Sequence, residues 1–134
     1  LRDISSIVIH CTAIDNPKQT ISAIKAYHLG KGWKDIGYHY LIDFSGEIWK
    51  GRGETDVGAH CLGQNQNSIG ICLFGNTDFK AEQFDSLADL VRNIKRRYPK
   101  IYHGSINGHN AFTKLKTCPN FDVRDFLFRY GLIG

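Results

Sequence analysis

A continuous apolar run, Ile69-Gly70-Ile71-Cys72-Leu73-Phe74, sets the architecture. It lacks the polar alternation of a strand with one wet face, so it reads as a central strand covered on both sides. Ser6-Ile7-Val8-Ile9-His10-Cys11-Thr12 has the same apolar, β-branched character and reads as a second buried strand. Strands of this kind need helices packed against the sheet that holds them.

The chain supplies those helices. From Lys80 to Tyr98 the residues Phe84, Leu87, Leu90, Val91, Ile94 and Tyr98 fall on one helical stripe. Glu82 and Asp85 lie early and Arg96 and Arg97 late, as the helix dipole prefers, and Pro99 stops the helix. Thr20 caps an earlier helix with Ile21, Ile24, Tyr27 and His28 or Leu29 on its apolar side, ended by Gly30 and Gly32. Residues 122–130 form a third, apolar at Val123, Phe126, Leu127 and Tyr130. Residues 37–43 and 46–51 read as a hairpin, and the glycine-rich segment 51–67 as a long surface loop. Ile101 to Ile106 is expected as an edge strand weakened by Gly104. The order β-α-β-β-loop-β-α-β-loop-α indicates an α/β fold: one domain over residues 1–134, with a central mixed β-sheet of about five strands flanked by about three helices.

A chain of 134 residues buries a core without covalent staples, and its four cysteines lack the dense spacing of a disulfide framework. They read as reduced thiols, with Cys11 and Cys72 in the core. No apolar run reaches the roughly 18 to 20 residues that cross a bilayer, and no charged-then-apolar leader is visible within the chain, which leaves the compartment open. The net charge of +4 suits a polyanionic partner such as a bacterial wall or nucleic acid, and equally a mildly basic enzyme surface.

The chemistry gathers in the stretch from Gly108 to Pro119, which carries His109, Cys118 and, two residues before the thiol, Lys116. A hydrolytic zinc ion takes three protein ligands and leaves a fourth position to water. His10, at the end of the first strand, is the candidate third ligand. Taken singly, His10 reads as a hydrogen-bonded core histidine, His109 as a surface residue, Cys118 as a packing residue, Lys116 as a solvated charge and Tyr38 as a core aromatic. Together they point to a catalytic metal site, with Lys116 placed to stabilise a developing oxyanion and the Tyr38 phenol near the same ion. A fourth ligand from Cys11, Cys61 or another donor would instead close the site as a structural one.

Several blocks carry a resemblance: His10-Cys11-Thr12-Ala13, Gly32 through Tyr40, Gly51-Arg52, Gly58-Ala59-His60, Asn67-Ser68-Ile69-Gly70-Ile71, and Lys116-Thr117-Cys118-Pro119-Asn120-Phe121-Asp122. In order along nearly the whole chain, they resemble the zinc-dependent N-acetylmuramoyl-L-alanine amidases, among them the phage lysozyme-type amidases and the peptidoglycan recognition proteins of animals. The resemblance implies one Zn2+ held by His10, His109 and Cys118 with a water, catalytic assistance from Tyr38 and Lys116, and His60 lining the substrate groove. His28 and His39 match recurrent family histidines, and both read as structural hydrogen-bonding residues. The implied reaction is hydrolysis of the amide between the lactyl group of N-acetylmuramic acid and L-alanine of the stem peptide. The implied partner is bacterial peptidoglycan and its muropeptides, met at the cell wall in the periplasm or outside the cell by a monomer with no nucleic acid partner and no membrane span. The alternative is a non-catalytic recognition module; Cys118 counts against it, because non-cutting relatives usually lack that cysteine. The loop 110–117 departs from the family pattern at Ala111-Phe112-Thr113-Lys114-Leu115, which leaves the approach of Lys116 less fixed than the ligands.

Overall fold

The two apolar runs pair side by side in the computed structural model, which describes residues 2–133. Strand β1 (Ser6–Cys11) runs parallel to a later strand, Ser68–Leu73, with Ile7 opposite Ile69 and His10 opposite Cys72. Numbered along the chain, β2 is Tyr40–Ile42, β3 Ile48–Lys50, β4 Ser68–Leu73 and β5 Ile106–Gly108. They form one five-stranded mixed sheet in the order β3-β2-β4-β1-β5, parallel throughout except for the β2–β3 hairpin.

Side chains alternate across this sheet and meet a different layer on each face. Ile7, Ile9, Ile42, Ile69, Ile71 and Leu73 pack on α2 (Ala81–Arg97) and α3 (Val123–Arg129) through Leu87, Val91, Ile94, Phe126 and Leu127. Each such fully buried aliphatic side chain contributes about 1.5–3 kcal/mol. Leu41, Cys72 and Phe74 face the other way, toward α1 (Ile21–Gly30) and its Ile24. That second layer is thin: α1 buries only Ile24 and His28. His10, opposite Cys72 in the register, lies on this thinner side.

The helix ends follow the sequence signals. Thr20 accepts the Ala23 N–H at 3.1 Å and Asp122 accepts that of Asp125 at 3.1 Å. At the start of α2, buried Gln83 accepts the Lys80 N–H at 2.9 Å and donates to the Phe74 carbonyl at 2.8 Å, tying the helix to the end of β4.

Two local expectations are corrected. The edge strand is not Ile101 to Ile106 but β5, Ile106–Gly108, because residues 103–105 coil into a tight turn in which Ser105 Oγ bonds the Tyr102 backbone. Arg124 fixes that turn by donating to the His103 carbonyl at 2.6 Å and to the Ile106 carbonyl. The segment 51–67 is not simply a surface loop, since His60 and Cys61 within it are buried. Asn65 Oδ1 accepts both of their backbone N–H groups, at 2.9 and 3.0 Å, and so holds them inward. Among the described residues no helix is long and apolar enough to cross a membrane.

Candidate metal centre

Strands β1 and β5 run parallel, with Ile9 opposite Gly108. His10, near the end of β1, and His109, the first residue after β5, therefore come side by side at the carboxyl end of the sheet, where α/β sites form. Cys118 returns to the same place because its carbonyl accepts the Asn110 N–H at 3.0 Å. Gly108 makes that return possible: a Cβ there would stand 2.5 Å from Pro119 Cδ and 2.8 Å from Asn110 Oδ1.

The result is a compact donor set. His10 Nδ1 lies 3.2 Å from His109 Nδ1, and Cys118 Sγ lies 3.4 Å from the same nitrogen. A tetrahedral zinc with Zn–N near 2.05 Å and Zn–S near 2.3 Å would set such atoms about 3.3 and about 3.6 Å apart. The three ligand atoms all lie within 4.8 Å of one another, and among the described residues no further His, Cys, Asp or Glu joins the group. Cys11 and Cys61 are free, buried thiols outside it. The donor chemistry and spacing fit a three-ligand catalytic zinc site rather than a closed structural one.

The protonation states agree with that fit. Burial holds the His10 imidazole below its ordinary range, so it is a neutral ligand at physiological pH. The Cys118 thiol is pulled well below the ordinary thiol range, first by the Cys11 thiol and then, against the opposing effect of burial, by His109, whose Nδ1 lies 3.4 Å from Sγ. It is the thiolate that binds metal.

Tyr38 stands beside the cluster with its ring centroid 5.1 Å from that of His10. Burial, and after it the neighbouring Cys72, raises its pKa well above the phenol range, so the hydroxyl stays protonated and serves as a donor. The segment that carries it is anchored by His28, whose Nδ1 accepts the Gly37 N–H at 2.9 Å. His39 acts similarly, taking the Gly70 N–H on Nδ1 at 3.0 Å. Thr12, Gln19, Tyr27 and Tyr38 line a cavity of about 370 Å³, which Tyr38 borders on the side of the His10 ring.

The other two residues singled out in the sequence sit differently. Lys116 is exposed on the loop before Cys118 and makes no hydrogen bond or ion pair with the described residues. His60 is 8% exposed and sits edge-on to the His10 ring, with ring centroids 5.0 Å apart. Its Nδ1 is 2.9 Å from His10 Nε2, and its Nε2 is 3.2 Å from Ser68 Oγ. Both ring nitrogens are thereby engaged within the protein. Ser68 and Gly70, which support the ring, escaped the sequence reading. A glycine inside the apolar run at 69–74 was the available signal, because such a residue marks a close approach.

Comparison with known proteins converges on one family. Residues 1–121 match the family described as N-acetylmuramoyl-L-alanine amidase. The chain is 35% identical over 129 residues to an endolysin of Enterobacteria phage T3, covering 89% of this chain and 82% of the relative. It is 34% identical to the endolysin of Escherichia phage T7 over the same shares. Among solved structures, it resembles the N-acetylmuramoyl-L-alanine amidase LysC from Clostridium intestinale with a TM-score of 0.87 and 30% identity, over 98% of this chain and 87% of that one. With sequence, fold and donor set in agreement, the chain belongs to the N-acetylmuramoyl-L-alanine amidase family.

Proposed function

We propose that this amidase is zinc-dependent and cuts the bond between the lactyl group of N-acetylmuramic acid and L-alanine of the peptidoglycan stem peptide, acting on the bacterial wall from the periplasm or from outside. The observation that carries the zinc reading is the three-atom donor set of His10, His109 and Cys118, which no fourth His, Cys, Asp or Glu joins among the described residues. When bound, zinc polarises the scissile carbonyl and brings a water pKa from near 16 to about 7.

The chain's own residues would do the rest. His10 and His109, through ring nitrogens, and Cys118, as a thiolate, would hold the ion at the carboxyl end of the sheet. Tyr38 keeps its proton and donates to the carbonyl oxygen as negative charge grows there, in a setting sheltered enough to strengthen the bond. Lys116, on an exposed loop and paired with no carboxylate among the described residues, would bring its ammonium to the same oxygen when substrate is present. The cavity bordered by Thr12, Gln19, Tyr27 and Tyr38 combines apolar walls with hydroxyl and amide groups, which suits a short peptide with its glycan attachment.

Digestion of purified peptidoglycan, with mass spectrometry of the products, tests the reading. The expected result is release of peptides with a free L-alanine amine, abolished by a chelator and by Cys118→Ser. Cleavage elsewhere in the polymer, or turnover unchanged in Cys118→Ser, would refute it.

A further inference from the structure

We propose that His60 is a positioning residue that fixes His10 in its metal-binding tautomer, as the middle of a buried hydrogen-bond chain that ends on the Gln64 carbonyl. The proposal rests on the zinc reading above for its purpose. Its geometry stands on its own.

The direction of every proton in the chain follows from its last member. Ser68 Oγ lies 2.6 Å from the Gln64 carbonyl, which can only accept, so the single hydroxyl hydrogen of Ser68 is used there. Toward His60 Nε2, 3.2 Å away, Ser68 can then offer only a lone pair, and Nε2 must carry the hydrogen. In a neutral imidazole one nitrogen donates and the other accepts, which leaves His60 Nδ1 an acceptor. Its partner, His10 Nε2 at 2.9 Å, therefore carries a hydrogen. His10 Nδ1 is left with its lone pair bare, and that is the atom 3.2 Å from His109 Nδ1 in the donor set.

A histidine without such support divides between two tautomers, one of which puts a hydrogen on the ligand atom. Metal-bound histidines commonly give their second N–H to a carboxylate or carbonyl for this reason. Here an imidazole and a hydroxyl pass the requirement inward to a backbone oxygen. The chain is shielded from water, with Ser68 fully buried and His60 nearly so. It is held in place by Asn65 Oδ1, which accepts the His60 backbone N–H at 2.9 Å.

The test uses the whole protein and zinc itself. Competition with a chromogenic chelator should show zinc affinity about 10- to 100-fold weaker in His60→Ala. His60→Asn, whose side-chain oxygen can stand near the Nδ1 position, should recover most of that loss. Ser68→Ala removes one hydroxyl and should weaken zinc several-fold while leaving the melting curve near the parent's. In zinc-free parent protein, nitrogen-15 spectra of the histidines should report a bare Nδ1 and a protonated Nε2 for both His60 and His10. A hydrogen found on His60 Nδ1, or parent-like zinc affinity in folded His60→Ala, would overturn the proposal. Should the parent itself hold no zinc, the zinc reading fails, while the same spectra still decide the hydrogen-bond chain.

Discussion

Replacing Gly70 with alanine tests how closely the His60 ring is held over β4. The backbone at Gly70 does not occupy the left-handed region, so alanine meets no conformational penalty and its methyl group is the whole perturbation. That methyl would stand 2.6 Å from two carbons of the His60 ring and 2.8 Å from Nδ1, where ordinary contacts begin at 3.4 Å. The ring would have to withdraw by roughly 0.8 Å. It cannot do so freely, because His10 holds one nitrogen and Ser68 the other. Overpacking of a site with so little room costs about 1–3 kcal/mol, and the displaced ring would also loosen its bond to His10. Chemical denaturation followed by far-ultraviolet dichroism should therefore show Gly70→Ala destabilised by about that amount, with zinc affinity lowered in parallel. A variant as stable as the parent, with unchanged zinc affinity, would refute the packing argument and the role given to the ring.

Other perturbations reach different parts of the account. Burial pushes the Glu54 carboxyl up, yet hydrogen bonds from Arg97, Tyr40 and Tyr98 outweigh it and hold the group at about 2 against an ordinary 4.5. This stabilisation is fully present above pH 4.5 and disappears as the pH falls toward 2. A shift of that size is worth about 3 kcal/mol unscreened, and about 1–2 kcal/mol once solvent around the half-open Arg97 is counted. Parent and Glu54→Gln proteins should thus converge in stability toward pH 2, and parallel curves would contradict the assignment. Lys116→Ala should keep zinc but lower turnover about a hundredfold, and a rate within twofold of the parent would remove the lysine from the mechanism. Gln83→Met strips partners from the Lys80 N–H and the Phe74 carbonyl, so thermal unfolding should report a loss of about 2–4 kcal/mol; a loss below about 1 kcal/mol would mean that water replaces the side chain.

The parts of this fold that were legible in the sequence are those where one pattern dominates. The run at 69–74 had to be a covered strand, and the stripe from Phe84 to Ile94 had to be a helix packed on it. The candidate donors His10, His109 and Cys118 were legible as a set because each lies beside a strand end or in a short loop with metal-binding side chains, and the fold brings the three together. What escaped depended on contacts remote in sequence. The true extent of β5 is decided by Arg124 reaching back to the His103 and Ile106 carbonyls, which no local signal near Ile101 discloses. His60 is drawn inward by Asn65 and stacked over Gly70, so its glycine-rich surroundings suggested a surface loop that the packing reverses.

X-ray absorption at the zinc edge of the purified protein tests the central claim most directly. One equivalent of zinc should be found with two imidazole nitrogens near 2.0–2.1 Å, one sulfur near 2.3 Å and one additional light atom that exchanges with solvent. A first shell without sulfur, or one completed by a fourth protein ligand, would contradict the hydrolytic centre described for His10, His109 and Cys118.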